Sequence, residues 1–168
     1  MSEGELEKWE QLAGIERLDQ LLEVAIQFER AAAAFYRQQL DRVSKPLRWL
    51  LQSLVEEEQQ HEEKLQALRD DATLERALQQ RIEQPVIDPR FSDALQPPLV
   101  DEMVDDQAIL QYALGREQLA QEQYRKLAEI TEAGAVQELF QWLADEELQH
   151  KGYLERRYYE LVHRVEGI

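Results

Sequence analysis

The two halves of this 168-residue chain repeat each other, and the repeat constrains the fold more than any other feature of the sequence. The segment AIQFERAAAAFYRQQL at 25–40 aligns with ALGREQLAQEQYRKLA at 113–128. The phrase EEEQQH at 56–61 aligns with DEELQH at 145–150, together with the leucines around each phrase. Because the repeat covers two segments of each half, it predicts a structure with approximate twofold symmetry in which matching residues face each other.

Apolar residues recur at helical spacing in four segments of the chain. Within each segment they follow the i, i+3/i+4, i+7 rule, which is typical of an amphipathic helix with one buried face. The residues are Leu18, Leu22, Ala25, Ala32 and Leu40; Leu47, Leu51, Leu54, Leu65 and Leu68; Leu110, Ala113, Ala120 and Leu127; and Leu139, Leu143 and Leu154. We predict helices over approximately 15–42, 46–70, 101–131 and 135–165.

Two short connections separate the helices within each half. The first is VSKP at 43–46, where Ser44 is a predicted cap ahead of a proline in the first turn. The second is EAGA at 132–135, where Gly134 is a predicted C-terminal stop. Short connections of this kind join antiparallel neighbours.

A long connection separates the two halves. Four of the five prolines fall within QPVIDPRFSDALQPPL, which predicts an irregular crossover over about 71–100. Two antiparallel helix pairs and one long crossover between helices 2 and 3 predict an all-α, ferritin-like four-helix bundle. We expect residues 1–168 to form a single domain of this kind.

Composition narrows the functional classes. The net charge of -16 argues against nucleic acid or an anionic membrane as the main partner, since both require clustered Lys and Arg. The chain has no cysteine, which excludes disulfides, iron–sulfur clusters and Cys-ligated zinc. The N-terminal stretch MSEGELEKWEQ lacks the basic and apolar regions of a signal peptide, and no apolar run approaches a membrane span. We therefore expect a cytoplasmic protein.

Six ionisable residues interrupt the apolar faces of the predicted helices. They are Glu29 and Glu117 between apolar residues of the first and third helices, and Glu58 with His61 and Glu147 with His150 in the second and fourth. A buried, unpaired carboxylate is costly, and several together repel each other. Divalent metal is the simplest way to accommodate them, because carboxylate and imidazole ligands suit iron, manganese or zinc. The alternative, a solvated acidic surface, does not explain why both lone glutamates occupy apolar faces.

The Glu-x-x-His spacing alone is weak evidence in a chain so rich in glutamate. Glu160 and His163 also match it, but His163 lies about 220° around the helix from His150. It has no counterpart in the first half, so we interpret this third pair as surface or core-edge residues. The evidence for a metal site is the whole set of residues, which consists of two lone glutamates and two Glu-x-x-His pairs that repeat between the halves.

Several residues near the predicted ligands admit more than one role. Glu57 and Glu146 are interpreted as solvated, although each lies four residues before a histidine and is an alternative ligand. Tyr36 and Tyr124 are either core aromatics, hydrogen-bond donors to a ligating carboxylate, or redox-active groups. The tryptophans are interpreted as packing residues, at positions 9, 49 and 142.

The ligand spacing resembles that of the rubrerythrin branch of the ferritin-like superfamily over roughly residues 15–165. The pattern is Glu29-x28-Glu58-x2-His61 and Glu117-x29-Glu147-x2-His150, with a Glu-x6-Tyr pair in each half. The resemblance implies a centre of two iron ions, with manganese possible, that reacts with peroxide or dioxygen. It implies that Glu58 and Glu147 bridge the metals, with the other four residues as terminal ligands. It also implies a homodimer, for which Trp9 and Phe91 are candidate exposed contacts.

Two departures from that family bear on activity. Without cysteine the chain lacks the rubredoxin domain of rubrerythrins, so an external electron donor is required. Ala120 stands where rubrerythrins carry a further glutamate, which makes the six-residue set more similar to bacterioferritins and manganese catalases. No haem is expected, since neither Met1 nor Met103 lies where a haem ligand on the second helix would be.

Three functions follow from the sequence. The first is a rubrerythrin-like oxidoreductase, a peroxidase or an oxidase. The second is an iron-binding ferroxidase that serves iron storage or homeostasis. The third is a structural or interaction bundle whose metal site is not catalytic.

Overall fold

The computed structural model describes residues 12, 14–83, 85–95 and 105–166, and four long helices dominate them. They are α1 (Leu18–Gln39), α2 (Lys45–Arg69), α5 (Asp106–Ile130) and α6 (Ala135–Glu166). Helix α1 packs along α2, α5 packs along α6, and α2 contacts α6 across the bundle. The predicted all-α, ferritin-like fold class is confirmed, and the single-domain assignment stays a prediction.

The two short turns lie between the paired helices. Helix α2 begins directly after Ser44, with Pro46 in its first turn, but the Ser44 side chain makes no capping hydrogen bond. Helix α5 ends at Ile130, and the Thr131 hydroxyl donates to the Leu127 carbonyl oxygen at 2.6 Å. Gly134 has a φ of 154° and lies directly before α6, where a residue with a side chain would be strained. Gly134 thus belongs to the turn ahead of α6, not to the end of α5 as predicted.

The connection between the two helix pairs carries short helices where it is described. They are a 3₁₀ turn (Ala72–Leu74), α3 (Glu75–Leu78) and α4 (Pro89–Ala94). Three polar side chains tie this connection to α5. Gln80 donates to the Ile130 carbonyl oxygen at 2.9 Å, Gln123 donates to that of Val86 at 2.8 Å, and Arg116 donates to that of Ala94 at 2.7 Å.

The core contains two groups of buried apolar side chains, one toward each end of the bundle. Phe91 of α4 is fully buried and stacks on Phe28 of α1, with ring centroids 4.3 Å apart. The prediction that Phe91 is an exposed dimer contact is therefore wrong, because α4 folds back onto the bundle and covers it. Trp49 was predicted to pack but is 63% exposed, since it lies on the solvent side of α2.

Some predictions concern residues that the structure does not describe. Trp9, Met1, Met103 and part of the crossover, including Pro97 and Pro98, lie outside the described residues. Within the described part of the chain, no helix is long and apolar enough to cross a membrane.

Candidate metal centre

The structure brings all six predicted ligands together in the middle of the bundle. Glu29 and Glu58 are fully buried, and Glu117, Glu147 and both histidines are at most 2% exposed. One of the six comes from α1, two from α2, one from α5 and two from α6. Their position follows from helical phase, because each replaces an apolar residue on the buried face of its helix.

The six side chains form two overlapping groups of donor atoms. Glu29, Glu58, His61 and Glu147 have donor atoms that all lie within 4.8 Å of one another. Glu58, Glu117, Glu147 and His150 form the second group by the same measure. Glu58 and Glu147 belong to both groups, so they lie between the two positions, and each of the other four residues belongs to one.

The Nδ1 atoms of the two histidines have matching surroundings. His61 Nδ1 lies 3.0 Å from Glu147 Oε1, 3.5 Å from Glu29 Oε2 and 3.7 Å from Glu58 Oε2. His150 Nδ1 lies 2.9 Å from Glu58 Oε1, 3.7 Å from Glu117 Oε2 and 3.7 Å from Glu147 Oε2. The internal repeat of the sequence thus reappears as approximate twofold symmetry of the donor atoms.

The unsatisfied polar atoms of this cluster match a metal site. Every one of the six residues has at least one buried oxygen or nitrogen without an aligned hydrogen-bond partner, although carboxylate oxygens and ring nitrogens lie about 3 Å apart. Buried polar atoms are normally hydrogen-bonded, and exceptions require an explanation. Oxygen and imidazole nitrogen atoms that converge without bonding each other have the chemistry of ligands for a transition metal.

The two tyrosines cross the bundle to the lone glutamates. The Tyr36 hydroxyl of α1 donates to Glu117 Oε1 of α5. The Tyr124 hydroxyl of α5 donates to Glu29 Oε1 of α1 at 2.5 Å. In both glutamates the Oε2 atom remains without a hydrogen-bond partner and faces the cluster. Each tyrosine therefore holds one carboxylate oxygen and leaves the other available.

Glu57 is a member of the site that the sequence interpretation treated as solvated. Its side chain is 38% exposed, and its Oε2 atom lies 2.5 Å from Nε2 of His150, on the far side of the imidazole from the cluster. The pKa of Glu57 is lowered, chiefly by its contact with His150. In the sequence Glu57 stands beside Glu58 and four residues before His61, which made it an alternative ligand but did not indicate a contact with His150.

The third Glu-x-x-His pair lies away from the cluster. Glu160 and His163 are both exposed, and the His163 ring contacts the Tyr159 ring with centroids 4.0 Å apart. Trp142 lies closer to the site, with its ring centroid 5.3 Å from that of His61 and an interplanar angle of 81°.

Burial shifts the ionisation of the carboxylates. Burial and the charge of Glu58 raise the pKa of Glu29 to about 8. Burial, with the charges of Glu117 and Glu58, raises the pKa of Glu147 well above its ordinary value. Burial alone would raise the pKa of Glu58 too, but interactions with Glu29 and the histidines outweigh it, and that pKa is lowered. Without metal, Glu29 and Glu147 thus stay protonated at pH values at which an ordinary glutamate is ionised.

The carboxylates of the cluster also raise the pKa values of the neighbouring histidines and tyrosines. Burial alone would lower the pKa of His61 and of His150, but the surrounding carboxylates outweigh burial and raise both. Burial and the nearby carboxylates raise the pKa of Tyr36 and of Tyr124. Both hydroxyls therefore keep their protons and act as donors.

The metal-free protein is expected to melt several degrees lower at about pH 8 than at about pH 5. Glu29 has a pKa of about 8 when folded and an ordinary value of 4.5, so the unfolded chain releases a proton that the folded chain retains between these values. The raised histidine pKa values act in the same direction above pH 6.5. Below pH 4.5 the sign reverses, because the lowered pKa of Glu58 stabilises the fold only while that carboxylate is ionised.

Calorimetry on chelator-treated protein across this pH range measures the effect. The control is Glu29→Gln, which removes one titrating group at the same size and should reduce the dependence between pH 5 and pH 8. A melting temperature that rises through this window would contradict the predicted ionisation states.

Removing either tyrosine hydroxyl is expected to lower the free energy of unfolding of the metal-free protein by roughly 1–3 kcal/mol. Tyr36→Phe and Tyr124→Phe each remove the donor and leave a fully buried glutamate oxygen unpaired. Urea unfolding of the two variants measures the loss. The matched control is Tyr153→Phe, since Tyr153 is 46% exposed and should tolerate the change. Equal stability of all three variants would mean that the buried hydroxyls do not contribute to the free energy of unfolding.

The rubrerythrin family model matches the chain over residues 108–166. The matched segment covers nearly all of α5 and α6 and contains Glu117, Glu147 and His150. Over these residues the chain is similar to rubrerythrin, which confirms the resemblance inferred from the sequence for this part of the chain. No curated protein and no solved structure matches the chain significantly.

Proposed function

We propose that this protein is a non-haem di-iron, or di-manganese, carboxylate oxidoreductase that reacts with peroxide or dioxygen. The observation that carries the proposal is the pair of overlapping donor groups, which share Glu58 and Glu147 and each add one glutamate and one histidine. Carboxylate and imidazole donors suit iron and manganese alike, so the ligand set admits both. The match to rubrerythrin supports a metal-binding function of this class.

The two donor groups support a proposal for the ligand roles. Glu58 and Glu147 each lie in both donor groups, and they would be ligands shared by the two metals. Glu29 with His61 would hold one metal, and Glu117 with His150 would hold the other. The four carboxylates, when ionised, carry the charge that neutralises two divalent cations, so the fully ionised site is electrically balanced when two such ions are bound.

Other side chains support the ligands. Tyr36 and Tyr124 hold one oxygen of Glu117 and Glu29 respectively, which orients the second oxygen toward the cluster. Such hydrogen bonds to ligating carboxylates keep the ligands in place and tune the metal. The leucines around the cluster exclude water, since Leu51, Leu54 and Leu143 are at most 1% exposed.

Two bound metal ions would supply the two electrons that reduce peroxide or dioxygen. The chain contains no cysteine and so no iron–sulfur donor of its own. Repeated turnover therefore requires an external electron donor, which we propose is a separate protein or a small molecule.

Steady-state peroxide consumption tests the oxidoreductase proposal. Iron-loaded protein with excess peroxide and a supplied reductant should consume many equivalents of peroxide per site. The Glu58→Ala, Glu147→Ala double variant controls for free iron, and its rate should fall to that of buffer. Consumption that stops after a single equivalent per site, with reductant still present, would contradict the proposal.

The alternative is a ferroxidase that serves iron storage or homeostasis. The absence of cysteine favours it, because oxidation of bound iron needs no electron donor within the chain. Single-turnover oxidation followed by release of ferric iron, or a mineral core in iron-loaded protein, would select this alternative.

A further inference from the structure

The two predicted histidine ligands differ on the side of the ring that faces away from the cluster. Nε2 of His150 lies 2.5 Å from Oε2 of Glu57, which reaches it from α2. The repeat places Glu146 in the position equivalent to Glu57. Glu146 belongs to a donor group with His61 and His150 within 4.8 Å, but among the described residues no ion pair of 4.0 Å or less joins it to His61. The approximate twofold symmetry of the site therefore does not extend to Glu57 and Glu146.

An aromatic ring contacts His61, whereas a carboxylate contacts the outer nitrogen of His150. The His61 ring meets the Trp142 ring edge to face, with centroids 5.3 Å apart, and Lys64 Nζ lies 4.9 Å from the Trp142 centroid. The repeat equivalent of Trp142 is Ser53, which is exposed, so this contact also has no counterpart at His150. The two imidazoles are otherwise alike, since their rings are nearly parallel at 8° and both are 1% exposed.

A carboxylate on the outer nitrogen of a ligating imidazole has defined effects. It fixes which ring nitrogen carries the proton, orients the ring and raises the basicity of the nitrogen that faces the metal. In His150 the inner nitrogen is Nδ1, which already points at Glu58 at 2.9 Å. By distance the Glu57 contact with Nε2 is an ion pair, although the two groups are not aligned for a hydrogen bond in this structure. We therefore assign Glu57 an effect on the position of the His150 ring.

We propose that Glu57 is a positioning residue that makes the two metal positions unequal. The position formed by Glu117 and His150 binds divalent metal more tightly than the position formed by Glu29 and His61, and it fills first. This inference rests on the proposed function, because it assumes that the cluster holds two metal ions.

Titration calorimetry of the metal-free protein with Mn²⁺, without oxidant, tests the inference. The wild type should bind two Mn²⁺ ions in two steps that differ in affinity. Glu57→Gln, which keeps the size of the side chain and removes its charge, should weaken the tighter step roughly 10- to 100-fold. The matched variant Glu146→Gln removes the same charge from the equivalent position and should weaken the tighter step less than Glu57→Gln does.

A second control separates the contact from long-range charge. Glu56→Gln removes one exposed carboxylate from the same helix and should not weaken the tighter step. The melting temperature of each metal-free variant is measured as well, since a merely structural role for Glu57 would change stability and not the difference between the two steps.

The outcomes separate this inference from the proposed function. Two equivalent steps in the wild type, or equal losses in Glu57→Gln and Glu146→Gln, would overturn the inequality and leave the two-metal site standing. No metal binding by the wild type would overturn both. If a variant fails to fold, two equivalent steps in the wild-type titration would still overturn the inference.

Discussion

Divalent metal is expected to raise the melting temperature of the protein by about 5–11 °C at a metal concentration one hundred times the dissociation constant. The stabilisation at that concentration is about 2.7 kcal/mol for one site, and a second site increases it. Metal binds the folded cluster and has no comparable site in the unfolded chain, where the ligands are far apart.

The physical reason lies in the metal-free cluster. Four carboxylates and two imidazoles are buried there with unpaired oxygen and nitrogen atoms on every residue. Burial and mutual repulsion raise the pKa of Glu29 and of Glu147, which is a free-energy cost of folding without metal. A bound cation replaces the repulsion with attraction and satisfies the orphaned atoms.

Calorimetry of chelator-treated protein with added Mn²⁺, or with Fe²⁺ under anaerobic conditions, measures the shift. Mg²⁺ at the same concentration controls for general screening of the acidic surface, because this ion prefers oxygen ligands and keeps its own water. Equal shifts with Mn²⁺ and Mg²⁺ would show that the effect is surface screening and not occupation of the cluster.

Removing both shared carboxylates is expected to abolish binding at both positions. In the double variant Glu58→Ala, Glu147→Ala, each donor group keeps only one glutamate and one histidine. We expect the variant to hold less than about one metal ion per chain after purification from iron-supplemented cells, whereas the wild type holds two. Metal analysis of both proteins measures this difference.

The chain offers a matched control for this variant. Glu56 and Asp145 lie on the same two helices at positions equivalent by the repeat, and both are exposed. Replacing both with alanine changes the net charge by the same amount and should leave the metal content unchanged. Circular dichroism should show that both double variants fold. Unchanged metal content in the Glu58→Ala, Glu147→Ala protein would mean that the cluster is not the metal site.

Helical phase made the cluster predictable from the sequence. Glu29 and Glu117 stand on apolar faces, and each Glu-x-x-His pair interrupts a leucine stripe, so their burial follows from the spacing alone. The repeat then predicts that matching residues face each other, as they do around the two Nδ1 atoms.

Contacts that depend on how two helices are aligned were not predictable in this way. Tyr36 lies seven residues after Glu29, which is about 10 Å along a helix and too far for a hydrogen bond. Its hydroxyl instead reaches Glu117 on α5. Glu57 reaches His150 only because α2 and α6 contact each other at this level. Periodicity describes the faces of one helix and carries no information on its alignment with another.

The crossover was the least predictable part of the chain. Its prolines indicate irregular structure but do not show that α4 covers the bundle and buries Phe91. That contact depends on Phe28 and Arg116, which hold α4 by ring stacking and by a hydrogen bond to the Ala94 carbonyl oxygen. Both lie on long helices, where the sequence offers no sign of a partner in the crossover.

Anomalous scattering from crystals of the metal-loaded protein tests the central claim most directly. Data on both sides of the iron and manganese absorption edges should show two peaks in the bundle. One should lie among Glu29, Glu58, His61 and Glu147, and the other among Glu58, Glu117, Glu147 and His150. The edge at which the peaks appear identifies the element. No anomalous peak within the cluster, in crystals whose protein carries metal by analysis, would contradict the account.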